Sequence, residues 1–314
     1  MAPEVSVVIA TYNTGSFIDA TMESVLRQTA SNLEVIVVDD GSSDGTVSRV
    51  TAFHDGRIRI AEQVHQGPPA AMNAGFRMAQ GEYIGLLDHD DLWHETKLAR
   101  HVEVMNERPE LDATFSWSRL IDEGGRDLGP HPHRGRGVFS FQQLLTFNPM
   151  GNTSSLVLRR SAVERVGGCD PRFSCYYDHY LVSQIARLRP ANVCAIPEEL
   201  TSYRQHRSQQ SRDWRSMERE WFVMLDEFRG TEPESTAAVE GLATSRRRRW
   251  FAQQAYKCGE HRGACRLAAQ ALGDAPGFFL SDPWSWKVSA ACLAGFLLPA
   301  GVHRKLQRVL GIRV

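Results

Sequence analysis

Residues 33–46 read Leu33-Glu34-Val35-Ile36-Val37-Val38-Asp39-Asp40-Gly41-Ser42-Ser43-Asp44-Gly45-Thr46. An apolar, β-branched run stops abruptly at two aspartates and a Gly/Ser turn, which reads as a buried strand and its carboxyl end. Upstream, Val5–Ala10 is a second such run. The apolar spacing Phe17, Ala20, Val25, Leu26 then predicts a helix over 16–28. Downstream, 46–53 reads as a helix, 57–63 alternates like a strand and 69–79 is helical again. Glu82–Leu87 is a fourth strand, ending in Asp88-His89-Asp90-Asp91. Strand–helix alternation at this pitch means βαβ units, hence an α/β chain with a mostly parallel central sheet flanked by helices. Ligands of such sheets bind beyond the carboxyl ends of the strands, and two of the four strands end there in acidic clusters.

The rest of the chain is less regular. Strands are expected near 113–118 and 154–158, separated by a loop over 124–137 rich in Gly, Pro, His and Arg. A helix follows over 178–188, then short strands over 193–196 and 200–203. From Trp214 helical spacing dominates, with one helical hairpin over 250–272. At roughly 150 residues per domain, 314 residues allow about two. The expected division is a catalytic α/β domain over 1–210 and a helical C-terminal region over 211–314.

Hydrophobic residues make up 42% and charged residues 23%, which excludes a disordered chain and a polytopic membrane protein. A net charge of -1 gives no whole-molecule reason to expect nucleic acid as a partner. That average hides a split. From Arg246 to the end, twelve Lys/Arg face three acids, a balance of +9, which leaves -10 on the preceding residues. The six cysteines form no CxxC pair, and the N-terminus shows neither a basic n-region nor a long apolar stretch. Both features read as a cytoplasmic chain with reduced thiols.

Two constellations carry chemistry. A carboxylate just past a strand end, here Asp39 or Asp40, can accept hydrogen bonds from a nucleobase N–H or from ribose hydroxyls. Asp44 reads as a cap on the next helix. Asp88, Asp90 and Asp91 repel one another unless a cation or a hydrogen-bond network neutralises them. Hard oxygen ligands at this spacing suit Mg²⁺ or Mn²⁺ bridging to a diphosphate. No GxGxxG follows the first strand, which weighs against dinucleotide binding.

Four stretches, VSVVIATYNTGSFIDATMESVLRQT, LEVIVVDDGSSDGT, QGPPAAMNAGFRMAQGEYIGLLDHDD and GGCDPRFSCYYDHYL, follow one another in the order and spacing of a known family. Across roughly residues 4–210 the chain resembles the inverting family 2 glycosyltransferases with a GT-A, Rossmann-like fold. The resemblance implies a nucleotide-sugar donor, with UDP expected, bound by Thr11, Tyr12, Asn13, Asp39, Asp40 and Asn73. It implies a DxD motif at Asp88 and Asp90 that carries Mn²⁺ or Mg²⁺ and the diphosphate, with Asp91 beside them. Asp178 takes the place of the family's catalytic base, and Arg204 and His206 fall in a Tyr-Arg-x-His segment, as a phosphate contact and a metal contact. Two positions depart from the pattern: Met72 stands where the family often has Arg, and Tyr177 where it has Glu. The implied acceptor is a hydroxyl of a glycan or a lipid-linked sugar.

Two rivals stand beside this reading. A sugar nucleotidyltransferase needs a basic, Gly-rich loop after its first strand, and ATYNTGS has no Lys or Arg. The Tyr177 departure allows an idle nucleotide-sugar-binding scaffold, but keeping Asp40, Asp88, Asp90 and Asp178 together argues against it. In the tail, Arg246–Arg249 reads as a solvated helix face. Residues 284–308 combine Trp284, Trp286, an apolar stretch too short to span a bilayer, and a basic flank. They are expected to lie on the inner face of a membrane, to pack on the protein, or to pair with a second copy.

Overall fold

A computed structural model describes residues 2–207, 209–210 and 213–298. The chain forms two compact units. One comprises the residues up to Leu144 together with Asn148–Arg207, the other Leu145–Phe147 together with the chain after Arg207.

The first unit opens with the expected alternation: β1 (Val5–Thr11), α1 (Phe17–Leu26), β2 (Leu33–Asp39), α2 (Thr46–Thr51), β3 (Ile58–Glu62), α3 (Pro68–Met78) and β4 (Tyr83–Asp88). Then follow β5 (Leu92–Trp93), α4 (Lys97–Glu107), β6 (Ala113–Ile121), β7 (Asp127–Pro130), β8 (Gly137–Phe139) and α5 (Phe141–Thr146). Last come β9 (Leu156–Arg159), α6 (Arg160–Val166), α7 (Tyr177–Leu188) and β10 (Val193–Arg204). The strands make one sheet in the order β3-β2-β1-β4-β9-β6-β10-β5, with β7 on β6 and β8 on β10.

The β3-β2-β1-β4 half is parallel. Strands covered on both faces need apolar residues throughout, and β1 and β2 are buried along nearly their whole length. One face carries α1 and α4: Ile18, Met22 and Val25 of α1 and Leu98, Val102 and Met105 of α4 join Val5, Val7, Ile9, Val35 and Val37 in the core. On the opposite face α3 comes so close that a Cβ on Gly75 would stand 2.3 Å from Val8 Cγ1.

Beyond β4 the sheet turns mixed. β9 runs antiparallel to β4 and to β6, whereas β10 runs parallel to β6. Two local expectations are corrected here. The segment 193–204 is one strand, not two, because β10 passes Pro197 through register shifts against β6 instead of ending there. The 124–137 loop holds β7 and the first residue of β8.

Register fixes the site. Thr11 lies opposite Asp39 and Ala10 opposite Asp88, so the carboxyl ends of β1, β2 and β4 form one acidic rim.

The second unit is helical: α8 (Trp214–Thr231), α9 (Pro233–Ala237), α10 (Glu240–Lys257), α11 (His261–Asp274), α12 (Pro276–Ser281) and α13 (Pro283–Leu297). The expected hairpin is α10–α11. The arginine run is no solvated face. Arg248 pairs with Asp274 and Arg249 with Asp282, and Arg247 stacks on Trp221, all half-buried within the unit. Among the described residues no helix is long and apolar enough to cross a membrane. Of the 284–308 stretch, residues 299–308 lie outside the described part.

Candidate active site

At the end of β1 the chain turns into a loop laced to the one after β2. Thr11 Oγ1 donates to Asp39 Oδ1 at 3.1 Å, and Ser42 N–H donates to Asp39 Oδ2 at 2.8 Å. Asn13 takes a left-handed backbone (φ 49°), which Asn tolerates better than most residues. Its N–H donates to Ser42 Oγ, and its amide oxygen accepts from Ser43 N–H, both at 2.9 Å. Asp44 accepts from the N–H of Thr46 at the start of α2 and from that of Gly15 across the loop. The hydrogen bonds from Thr46, above all from its hydroxyl, hold the Asp44 carboxyl below its ordinary pKa.

Tyr12 projects from this rim, 44% exposed, and stacks on His65 at 4.0 Å between ring centroids. Behind it lies Asp40, a buried carboxylate with three hydrogen-bond donors and the His65 ring beside it. Gln63 Nε2 (2.7 Å) and Gln66 N–H (2.9 Å) reach Oδ1; Gly67 N–H and His65 Nδ1, both at 2.8 Å, reach Oδ2.

The second rim loop follows β4. Asp88 donates its N–H to Ser154 Oγ at 3.0 Å, and its Oδ1 lies 3.3 Å from the Tyr177 hydroxyl. Burial, then the charges of Asp90 and Asp178, push the Asp88 carboxyl up to about 8. Burial also works against ionisation of Asp90. There His206 Nε2, 2.6 Å from Oδ2, and the neighbouring His89 charge outweigh it, so Asp90 stays below its ordinary value.

Asp91, fully buried, is a brace. Ser154 Oγ donates to one of its oxygens at 2.6 Å and Arg204 N–H to the other at 2.8 Å. The Arg204 guanidinium turns inward as well. It donates to the backbone oxygens of Asp90, Asp122 and Glu123 and stacks on Phe17. Asn73 exchanges two hydrogen bonds with the Cys169 backbone, at 2.7 and 2.8 Å, and so ties α3 to the segment leading into α7. Asn73, Asp91 and Arg204, expected to contact ligand, thus have internal partners that position the loops.

Asp178 is the second residue of α7, where the positive end of the helix dipole favours a carboxylate. Thr153 Oγ1, on the 3₁₀ turn Thr153–Ser155 ahead of β9, donates to Asp178 Oδ2 at 3.1 Å and lies 3.2 Å from the Tyr177 hydroxyl. A chain of contacts therefore runs Asp88, Tyr177, Thr153, Asp178. Two hydroxyl protons cannot fill three contacts; with Asp88 protonated, each contact holds one proton. Burial foremost, and then the charges of Asp88 and Asp178, raise the Tyr177 phenol well above its ordinary value, so it stays a donor.

Sequence reasoning missed Thr153, Ser154, Gln63 and His65. The available signal was three consecutive hydroxyl residues, Thr153-Ser154-Ser155, running straight into a buried strand. Among the described residues no three His, Cys, Asp or Glu side chains converge as a ready-made metal cage.

Comparison with known proteins places this geometry. The profile of glycosyl transferase family 2 matches residues 6–167, about half of the chain. The Escherichia coli UDP-Glc:alpha-D-GlcNAc-diphosphoundecaprenol beta-1,3-glucosyltransferase WfaP is 40% identical over 164 residues, 52% of this chain and 61% of WfaP. The chain spans between 18% and 65% of the length of curated relatives such as this one. Among solved structures, S. aureus TarS 1–349 in complex with UDP-GlcNAc superposes with a TM-score of 0.62 at 15% identity, over 93% of this chain and 87% of that one. The mannosyltransferase PcManGT from Pyrobaculum calidifontis, in complex with GDP-Man and Mn²⁺, does so with 0.53 at 20% identity, over 100% and 81%. The chain belongs to glycosyl transferase family 2 and is a glycosyltransferase of GT-A fold.

Proposed function

We propose that this glycosyltransferase moves a sugar from a UDP-sugar onto a hydroxyl of a glycan or lipid-linked acceptor with inversion at the anomeric carbon, Asp178 acting as the base. The observation that carries the reading is the placement of Asp178: a buried carboxylate on the first turn of α7, linked through Thr153 and Tyr177 to Asp88 at the sheet's carboxyl rim. Inverting transfer needs one carboxylate to take the acceptor proton as its oxygen attacks opposite the leaving group. Thr153 aims one oxygen of Asp178 by its hydrogen bond. The nucleotide lies by Tyr12, Asn13 and Asp40, whose acceptor-only carboxylate selects bases carrying a ring N–H. UDP is the choice because WfaP acts on UDP-Glc and TarS binds UDP-GlcNAc.

A divalent cation fits Asp88 and Asp90. The Asp88 carboxyl, raised by burial and by its acidic neighbours, lacks the countercharge that such an ion brings, and two carboxylates with substrate phosphate suffice for Mg²⁺ or Mn²⁺. When bound, the ion neutralises charge on the departing diphosphate. His206 holds Asp90 in place for it.

In the second unit, α12 and α13 expose Leu280, Trp284, Trp286, Leu293, Phe296 and Leu297. This apolar face, with the basic residues that follow it in sequence, supports peripheral contact with the inner face of a membrane, where a lipid-linked acceptor would reside.

The test is calorimetric titration of UDP with Mn²⁺ and with EDTA, together with transfer assays on Asp178→Asn. UDP binding that needs Mn²⁺, and a loss of transfer on the order of 10²–10⁴ in Asp178→Asn with UDP binding intact, are expected. Near wild-type transfer by Asp178→Asn would remove the base assignment; absence of UDP binding would remove the donor.

A further inference from the structure

We propose that the His65 imidazole occupies the position of the donor's nucleobase, and that the incoming base must displace it. The inference rests on the reading of this rim as the nucleotide site and concerns how that site chooses and admits its base.

Two groups at the rim are built to receive a planar, hydrogen-bonding ring. Tyr12 offers an exposed aromatic face, and Asp40 offers a buried carboxylate. His65 uses both at once. Its ring lies on Tyr12 at 4.0 Å and 25°, and its Nδ1 stands 2.8 Å from Asp40 Oδ2 and 3.2 Å from the Asp40 carbonyl oxygen. A base with a ring N–H, such as uracil, presents the same pair of features: a π-face and an in-plane donor.

Both cannot be served together. A carboxylate has about four acceptor positions; Gln63, Gln66 and Gly67 take three of those of Asp40, and the His65 ring, with Nδ1 2.8 Å from Oδ2, covers the remaining approach. Two of these donors are backbone N–H groups leading into α3 and stay where the fold puts them. Gln63 is anchored at the end of β3, where its own N–H donates to the Asp39 carbonyl oxygen. The His65 side chain is 53% exposed and reaches Asp40 from a loop, so it is the group that can swing away. Base binding is then an exchange, one ring stacked on Tyr12 and set against the Asp40 carboxylate for another, and the net gain is only the difference between them.

The exchange makes a distinctive prediction. Apparent affinity falls by the fraction of molecules whose site is open, so removing the occupant tightens nucleotide binding. His65→Ala is expected to bind UDP about three- to tenfold more tightly than the wild-type chain. His65→Asn, which keeps a side-chain donor but no stacking ring, is expected to fall between the two. Inorganic diphosphate, which has no base, should bind all three alike. In the wild-type protein, UDP should shift the His65 Cε1–H resonance as the ring leaves Tyr12. Far-UV circular dichroism checks that the variants, altered at an exposed loop residue, remain folded.

The outcomes separate cleanly. Weaker UDP binding by His65→Ala makes His65 part of the base's own platform and overturns the inference, as does unchanged affinity; either leaves the nucleotide reading standing. Failure of the wild-type chain to bind UDP, with Mn²⁺ present, removes both.

Discussion

The Thr153 hydroxyl stands between the proposed base and the phenol that replaces the family's usual Glu, and its single proton points at Asp178. A hydrogen bond to a charged group is worth about 1.5–3 kcal/mol, more than most neutral pairs. Thr153→Val keeps the shape and removes that bond. It is expected to lower kcat on the order of tenfold to a hundredfold, leaving the KM for the donor sugar within about twofold. Thr153→Ser should restore most of the rate, which a merely structural role would not require; equal losses in the Val and Ser variants would sink the assignment. That Asp39 and Asp88 stand at neighbouring strand ends was legible in the sequence, because each closes a short apolar run of the parallel sheet. Thr153 and Ser154 were not, since a hydroxyl residue next to a strand is ordinary, and only the folded register reveals that it faces Asp178 or Asp91. Asn73, Asp91 and Arg204 show the converse. Their types suit ligand contact, yet the groups that hydrogen-bond to them come from segments as much as 114 positions away and could not be read locally.

Among elements, the parallel half of the sheet was readable because β1, β2 and β4 are short apolar runs, β3 alternates, and a helix follows each of the first three. In the other half the strands near 113–118 and 154–158 were readable, but their pairing was not. β9, β6 and β10 pair across long sequence separations, and Pro197 disguised a continuous strand as two. The close approach of α3 to β1 at Gly75 is open to test. Ala improves on Gly by about 1 kcal/mol inside a helix, so propensity alone favours Gly75→Ala in α3. A Cβ there would meet Val8 Cγ1 at 2.3 Å, a buried, β-branched side chain with no room to turn aside. Overpacking of this kind costs about 1–3 kcal/mol, enough to reverse the sign. Thermal unfolding should therefore show a lowered midpoint for Gly75→Ala and an unchanged or raised one for Gly230→Ala, whose added methyl meets nothing within 4 Å. A Gly75→Ala midpoint above the wild type would mean that α3 can move off β1.

At the scale of the whole chain, a net charge of -1 conceals opposite halves, and their separation bears on where the enzyme works. Part of the tail's positive charge is spent internally, since Arg248 and Arg249 are paired with Asp274 and Asp282. Lys287 on α13 is a cation that can meet an anionic surface, and the sequence continues with Arg304, Lys305 and Arg308. Each cation near such a surface contributes about 1 kcal/mol at ordinary salt, and exposed tryptophans add apolar contact at the headgroup level. With Trp286 54% and Leu297 69% exposed, the intact protein should sediment with vesicles containing phosphatidylglycerol, and its tryptophan emission should shift to the blue. Binding should weaken in 0.5 M salt (about a 4 Å screening length) and on neutral phosphatidylcholine, because the Coulomb part is then removed. Trp284→Ser with Trp286→Ser should reduce it without altering UDP binding, which belongs to the other unit. If the chain stays in the supernatant at low salt, the membrane contact is overturned and the lipid-linked acceptor must be reached without it; equal binding to neutral and anionic vesicles would remove the role of the basic residues.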